Sequence, residues 1–273
     1  VRRTLPILAV LTPPVAGASV ATGAPRTQRS AIAEAVASPS RTAANVARDP
    51  YRHPVDTLNF FGVKPGNTVV EIWPGGGWYT EILAPLTRAK GSYYAAVGPD
   101  FPGSGKAVEA LKTKDPALYG HAKLVAFPAE AGQPRVPDGT ADIVLTFRNV
   151  HNWRMGYKRG NTDYAPEAFR QMFAMLKKGG TLGIEDHRLP EAASAERERT
   201  SGYLKVSTVR RLAEQAGFVF VAASEINANP RDTADWPDGV WTLPPTYRLK
   251  DVDRAKYAAI GESDRMTLKF RKP

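Results

Sequence analysis

The hydrophobic positions change period along the chain. Residues 31–47 are Ala-rich and suited to a helix, with a break expected at Pro39. Residues 54–61 place Leu58 and Phe61 on one helical face, and Lys64, Pro65, Gly66 and Asn67 form a turn. From residue 68 onward, short β-branched runs alternate with helical stretches. Strands are predicted at 68–73, 92–97, 123–127, 142–147, 181–185, 218–226 and 266–271. Helices are predicted from the loop after the first strand to about Thr87, at 106–113, at 166–176 and at 207–216. The third of these ends at Lys177, Lys178, Gly179 and Gly180, where cations and glycine suit a helix C-terminus. Ser207 is read as the N-cap of the fourth, which stops at Gly217.

This alternation specifies an α/β domain with a mostly parallel sheet and helices on both faces. Residues 31–273 form that domain. Residues 227–264, rich in Pro, Trp and Asp, break the alternation and are read as a structureless lid or substrate-binding insertion. Residues 19–30 are small, polar and basic, as in a linker.

Composition narrows the picture. With 273 residues, 42% of them hydrophobic, the chain can bury a large core without staples. It contains no cysteine, so disulfides, thiolate metal sites and cysteine nucleophiles are excluded. The net charge of +10 is diffuse, without the dense Lys/Arg run of a nucleic-acid patch, and no nucleic-acid partner is expected. Arg2 and Arg3 precede an apolar stretch over 5–11, then Ala16, Gly17 and Ala18, the layout of a secretory leader with a small-residue cleavage site. The leader and linker take up residues 1–30. They imply a periplasmic or secreted protein, or a cytoplasmic one if the leader is not used. The apolar stretch is too short to span a bilayer, so no stable membrane insertion is expected. The assembly expected is a monomer or homodimer.

Ligands of open α/β sheets bind beyond the carboxyl ends of the strands, where the strand order switches. The first predicted strand runs directly into Pro74, Gly75, Gly76 and Gly77, and then into a helix. Glycine there allows a tight turn and close approach of a ligand to the backbone.

The run Val69-Val70-Glu71-Ile72-Trp73-Pro74-Gly75-Gly76-Gly77 resembles the first motif of the class I S-adenosylmethionine-dependent methyltransferases. In that family an acid inside the first strand precedes a Gly-x-Gly loop. Residues 141–151 resemble the family's fourth strand and its active-site end, and residues 176–185 its helix, turn and fifth strand. The likeness covers roughly residues 50–273. More narrowly, residues 71–79, 148–153, 202–205, 225–230 and 239–245 resemble a group of predicted bacterial methyltransferases, many with signal sequences. The resemblance implies a Rossmann-like seven-stranded sheet with an antiparallel last strand. It also implies S-adenosylmethionine as cofactor, a small-molecule substrate, and a cofactor site built on Glu71, Pro74, Gly75, Gly76 and Gly77.

Three positions depart from the pattern. Trp73 stands where the family's first loop glycine is expected. Asp100 is displaced from the end of the second strand, where an acid binds ribose, and is read either as that acid or as a turn residue. Glu130, after the third strand, is read as the acid that meets the adenine amine or as an exposed loop residue.

Methyl transfer needs donor and acceptor in line and, for oxygen or nitrogen acceptors, a base. His151 directly follows the fourth strand and is the candidate base. Arg148 and Asn149 are placed to bind the cofactor or an anionic substrate; the alternative for Arg148 is a salt bridge to Glu71 or Asp142. Trp78, Tyr79 and Trp153 are expected near the pocket with Trp73, as cation–π faces or as core. His187, at the end of the fifth strand, joins them as a substrate-binding residue. A metal site from His151 with Glu185, Asp186 and His187 is disfavoured, because neighbouring strand residues face opposite ways, and no metal is expected. The alternative function is an exported binding protein or altered enzyme that retains the fold.

Overall fold

The computed structural model describes residues 28–98, 103 and 105–273. The expected leader and Asp100 lie outside those residues. Four short helices open the described chain: α1 (Gln28–Val36), α2 (Ala43–Val46), α3 (Asp49–Arg52) and α4 (Pro54–Phe61). There follow β1 (Thr68–Ile72), α5 (Thr80–Thr87), β2 (Ser92–Val97), α6 (Lys106–Lys114), α7 (Pro116–Tyr119), β3 (Lys123–Ala126) and β4 (Ala141–Phe147). Next come α8 (Val150–Arg154), α9 (Ala165–Met175), β5 (Leu176–His187), α10 (Ala195–Thr200), α11 (Val206–Gln215) and β6 (Val219–Ser224). The chain ends with α12 (Arg254–Ile260) and β7 (Arg265–Arg271).

The strands form one seven-stranded sheet in the order β3-β2-β1-β4-β5-β7-β6. β7 lies between β5 and β6 and is antiparallel to both. The period-2 alternation divides the sheet between two cores. Val70, Ile72, Val144, Leu182 and Ile184 pack with Phe169 and Met172 of α9 and Val209 and Leu212 of α11. On the other face, Val69, Ile143 and Leu145 pack with Leu58 and Phe61 of α4 and Ile82 and Leu83 of α5. Gly183 of β5 is where α4 comes closest: a Cβ there would lie 2.7 Å from Phe61 and Leu145.

Several expectations need correction. β5 is longer than the predicted 181–185 because Leu176 already pairs with Ala141, across an irregularity before Ile143 meets Thr181. Lys177, Lys178, Gly179 and Gly180 therefore lie in the strand and not at the end of α9. Ser207 does not cap α11, since the helix already begins at Val206 and Glu191 accepts both the Ser207 backbone N–H and its hydroxyl. Residues 227–264 are not structureless. They contain a 3-10 turn, Gly239–Thr242, and α12.

This insertion is pinned by Asp232, which is 8% exposed. Its carboxylate accepts from the Tyr203 hydroxyl at 3.0 Å, the Trp236 indole at 2.7 Å and the backbone N–H groups of Ala234 and Asp264. No helix among the described residues is long and apolar enough to cross a membrane.

Candidate active site

The strand order reverses between β1 and β4, and the crevice opens at their carboxyl ends. A cavity of about 300 Å³ lies there. Its floor is the loop after β1 and the chain leaving β4. The start of the chain adds Arg48 and Arg52, and the insertion adds Trp241, Pro245 and Glu262.

Both strands leave the sheet through left-handed backbone. Trp73 has φ 49° and Arg148 has φ 63°. A bulky residue in that region costs roughly 1–2 kcal/mol, so neighbouring contacts must hold it. Trp73 N–H donates to Ala96 O at 2.8 Å, and its indole Nε1 donates to Phe127 O at 2.8 Å. The indole also meets Trp153 edge-on, with ring centroids 5.8 Å apart. Asn149 braces the same turn, its Nδ2 donating to Ile72 O at 2.9 Å and to Thr146 Oγ1 at 3.2 Å. The backbone thus keeps the conformation a glycine would favour, while the added side chain reaches across to the end of β3.

The glycine loop itself is open. A Cβ on Gly75 or Gly76 would meet nothing within 4 Å, whereas one on Gly77 would press on Leu111 at 3.2 Å. Pro74, Gly75 and Gly76 line the cavity; Gly77 faces α6. Glu71 also reaches the cavity but is 2% exposed. Burial pushes its carboxyl up to about 7, despite hydrogen bonds from Tyr93 and Thr80 that favour the charged form.

His151 is 3% exposed and lines the cavity. β4 stops pairing with β5 at Phe147–Glu185, and Arg148 N–H donates to Glu185 O at 2.7 Å as the chain turns. That turn sets α8 over the end of β5. Asp186 Oδ1 lies 2.8 Å from His151 Nδ1, and Oδ2 accepts the His151 backbone N–H at 3.2 Å. A buried carboxylate fixes the proton on Nδ1, which leaves Nε2 as the basic nitrogen.

His187 lies beside it, with ring centroids 5.0 Å apart and Nδ1 2.5 Å from Ser263 Oγ. Burial first, then His151 and three arginines, push the His187 pKa well down, so it is neutral. Alternation still holds on β5. Glu185 points to the opposite face from Asp186, pairing with Arg265 at 2.9 Å and accepting from the Tyr79 hydroxyl at 3.3 Å. Yet His151 sits over the strand end and approaches both Asp186 and His187. Ligand atoms of these three lie within 4.8 Å of one another, closer than the sequence reading allowed. Asp186 already accepts three N–H donors, the third from His187 at 2.8 Å, and a cation would compete with them.

Of the other expected site residues, Trp78, Tyr79, Arg148, Asn149 and His187 line the cavity. Trp153 does not; it is fully buried in the core beside Phe127 and Phe169. Glu130 is exposed and outside the cavity, its N–H donating to Gln133 Oε1 at 2.9 Å. Arg148 does not pair with Glu71 or Asp142. Its guanidinium lies 4.0 Å from Glu262, while Asp142 holds Lys177 at 2.7 Å and the Thr68 N–H. Sequence reasoning missed Arg48, Arg52 and Glu262, because the glutamate lies 214 and 210 positions from the two arginines and no local pattern links them.

No protein-family model and no curated protein sequence matches the chain. Its fold is similar to solved structures. One is a SAM-dependent methyltransferase from Aquifex aeolicus, at 17% identity and TM-score 0.52, covering 90% of this chain and 100% of that one. Another is a putative sarcosine dimethylglycine methyltransferase from Galdieria sulphuraria, at 13% and 0.54, covering 84% and 87%. A third is the [4+2]-cyclase SpnF, at 16% and 0.52, covering 89% and 91%. At these identities the likeness is one of fold, and a fold can host more than one reaction.

Proposed function

We propose that this protein is an S-adenosylmethionine-dependent methyltransferase acting on a small molecule, with His151 as its general base. One observation carries the reading. The open loop Pro74-Gly75-Gly76 and His151, whose ring is held from behind by Asp186, face the same cavity at the strand-order switch.

The residues present suit such a cofactor. The glycines leave room for close backbone approach, and Glu71 offers a buried carboxyl beside them. When bound, S-adenosylmethionine supplies an electrophilic methyl group on a sulfonium. The chain's own residues supply the rest. His151 Nε2 takes the proton of an acceptor hydroxyl or amine, and Asp186 orients the ring and stabilises its protonated form. Trp241, with its ring centroid 6.2 Å from that of His151, helps to exclude water from the base.

The leader pattern of residues 2–18 supports export of this enzyme, and N-terminal sequencing of the protein recovered from its host tests that point.

Calorimetry of the full chain with S-adenosylmethionine and S-adenosylhomocysteine tests the central reading. Dissociation constants in the micromolar range are expected. No heat with either ligand at ~1 mM would leave the retained-fold binding protein as the better account.

A further inference from the structure

Four guanidinium groups converge at one end of the cavity. Arg48 comes from the turn before α3, Arg52 from the end of α3, Arg148 from the turn after β4 and Arg265 from β7. They share one carboxylate. Glu262 lies 2.7 Å from Arg48 Nε, 3.2 Å from Arg52 Nε, 3.4 Å from Arg265 Nη1 and 4.0 Å from Arg148 Nη1. Arg265 also holds Glu185, so two carboxylates face four guanidiniums. Two other titratable groups beside the cluster, His187 and Tyr79, add no negative charge. His187 is held neutral, and burial raises the Tyr79 phenol well above its ordinary value.

The excess faces the cavity. Arg48, Arg52 and Arg148 line it, whereas Arg265 does not. Arg52 is 1% exposed, its guanidinium lies 4.7 Å over the Trp78 ring, and its Nη2 has no hydrogen-bond partner among the described residues. Arg48 Nη2 is likewise buried without a partner. Buried, unpaired guanidinium N–H groups are costly, and the planar fork of arginine matches a carboxylate or phosphate. Burial and the neighbouring cations pull the Arg52 pKa down to about 9, strain that a bound anion would relieve. The rest of the wall includes the apolar faces of Trp78, Trp241 and Pro245.

We infer that Arg48, Arg52 and Arg148 bind an anionic oxygen group on the methyl acceptor, which is a small, flat, apolar-bodied acid with a nucleophile facing His151. The word acceptor rests on the methyltransferase reading; the anion site stands without it.

The test compares matched acids and a neutral isostere on the full chain without cofactor. Para-hydroxybenzoate and phenyl phosphate are titrated against para-hydroxybenzamide at constant ionic strength, following thermal stability and calorimetric heat. At least one acid is expected to bind about tenfold or more tightly than the amide, and the better acid identifies the anion. Equal binding of the amide, or no binding of either acid at ~10 mM, overturns the inference without any variant.

Arg48→Gln, at a partly exposed position, should abolish the preference for the acid. It should leave S-adenosylhomocysteine affinity within about twofold. A fall of about tenfold in S-adenosylhomocysteine affinity with the acid preference intact would assign the cluster to the cofactor's own carboxylate, and the inference would be wrong. Failure of S-adenosylhomocysteine to bind at all would sink the methyltransferase reading while the acid–amide comparison still decided this one.

Discussion

The carboxylate of Asp186, on β5, lies 2.8 Å from Nδ1 of His151, on the helix after β4, and accepts that histidine's backbone N–H at 3.2 Å. Two strands of the sheet are thereby joined through the ring that faces the cavity. The pairing fixes which nitrogen carries the proton. Nitrogen NMR of the imidazole should show His151 protonated at Nδ1 in the native protein, and Asp186→Asn should lose that single tautomer. Once an acceptor is in hand, the same variant should lower kcat by roughly 10²–10⁴ with little change in KM. A native ring protonated at Nε2 would remove His151 as the base.

Glu71 makes stability depend on pH in a defined direction. Its folded value of about 7 lies above the ordinary 4.5, so the folded state holds the proton through that window. Stability therefore falls as pH rises from 4.5 to 7, and the effect levels off above. The full effect is at most ~3 kcal/mol. Glu71→Gln should flatten this part of the profile, read by urea denaturation at several pH values. An unchanged slope would mean that Glu71 is ionised in the fold.

Glu262 should behave in the opposite sense. Burial alone would raise its value, but Arg52, Arg265, Arg148 and Arg48 override it and hold it at about 2. Its contribution is present above pH 4.5 and is lost as pH falls toward 2. Glu262→Gln leaves four guanidiniums without their shared partner. The expected loss is about 3–5 kcal/mol at neutral pH, with partial recovery in added phosphate. Denaturation with and without phosphate measures both.

Trp73→Phe keeps an aromatic ring beside Trp153 but removes the donor to Phe127 O. The orphaned buried carbonyl should cost about 1–3 kcal/mol in chemical denaturation. Trp73→Gly relieves the left-handed backbone yet opens a cavity in the aromatic cluster. It should be the less stable of the two, because the half-buried indole gives up its contacts with Trp153 and Tyr164 as well as its hydrogen bond, while the strain returned is only about 1–2 kcal/mol.

Asp232→Ala removes the acceptor for a phenol, an indole and two backbone N–H groups. Residues 227–264 should become susceptible to limited proteolysis, while the central sheet stays protected. A loss of about 2–4 kcal/mol is expected. Unchanged cleavage would show that the insertion is held by its apolar contacts alone.

Much of the frame was legible in the sequence. All seven strands were legible as short apolar runs between turn residues and helical stretches, because the central strands are covered on both faces and a turn must end each of them. The loop from Glu71 to Gly77 marked the ligand end for the same local reason. The errors arose where a non-local partner intervened. Glu191 displaced the helix cap read at Ser207, and pairing of Leu176 with Ala141 drew a lysine-glycine turn into β5.

By itself, the sequence determined the order of the seven strands and of the longer helices between them, and the placing of a glycine loop and a histidine at one end of the sheet. These follow from short-range periodicity and turn chemistry. Only the tertiary structure decided which charges meet. Arg52 and Glu262 are separated by 210 residues but lie 3.2 Å apart. His151 reaches Asp186 because Arg148 turns the chain over the end of β5, and the Trp73 indole reaches Phe127 O just past β3. Electrostatic pairing acts through space between groups with no shared local pattern. The chemistry of the cavity was therefore set by packing, not by any motif.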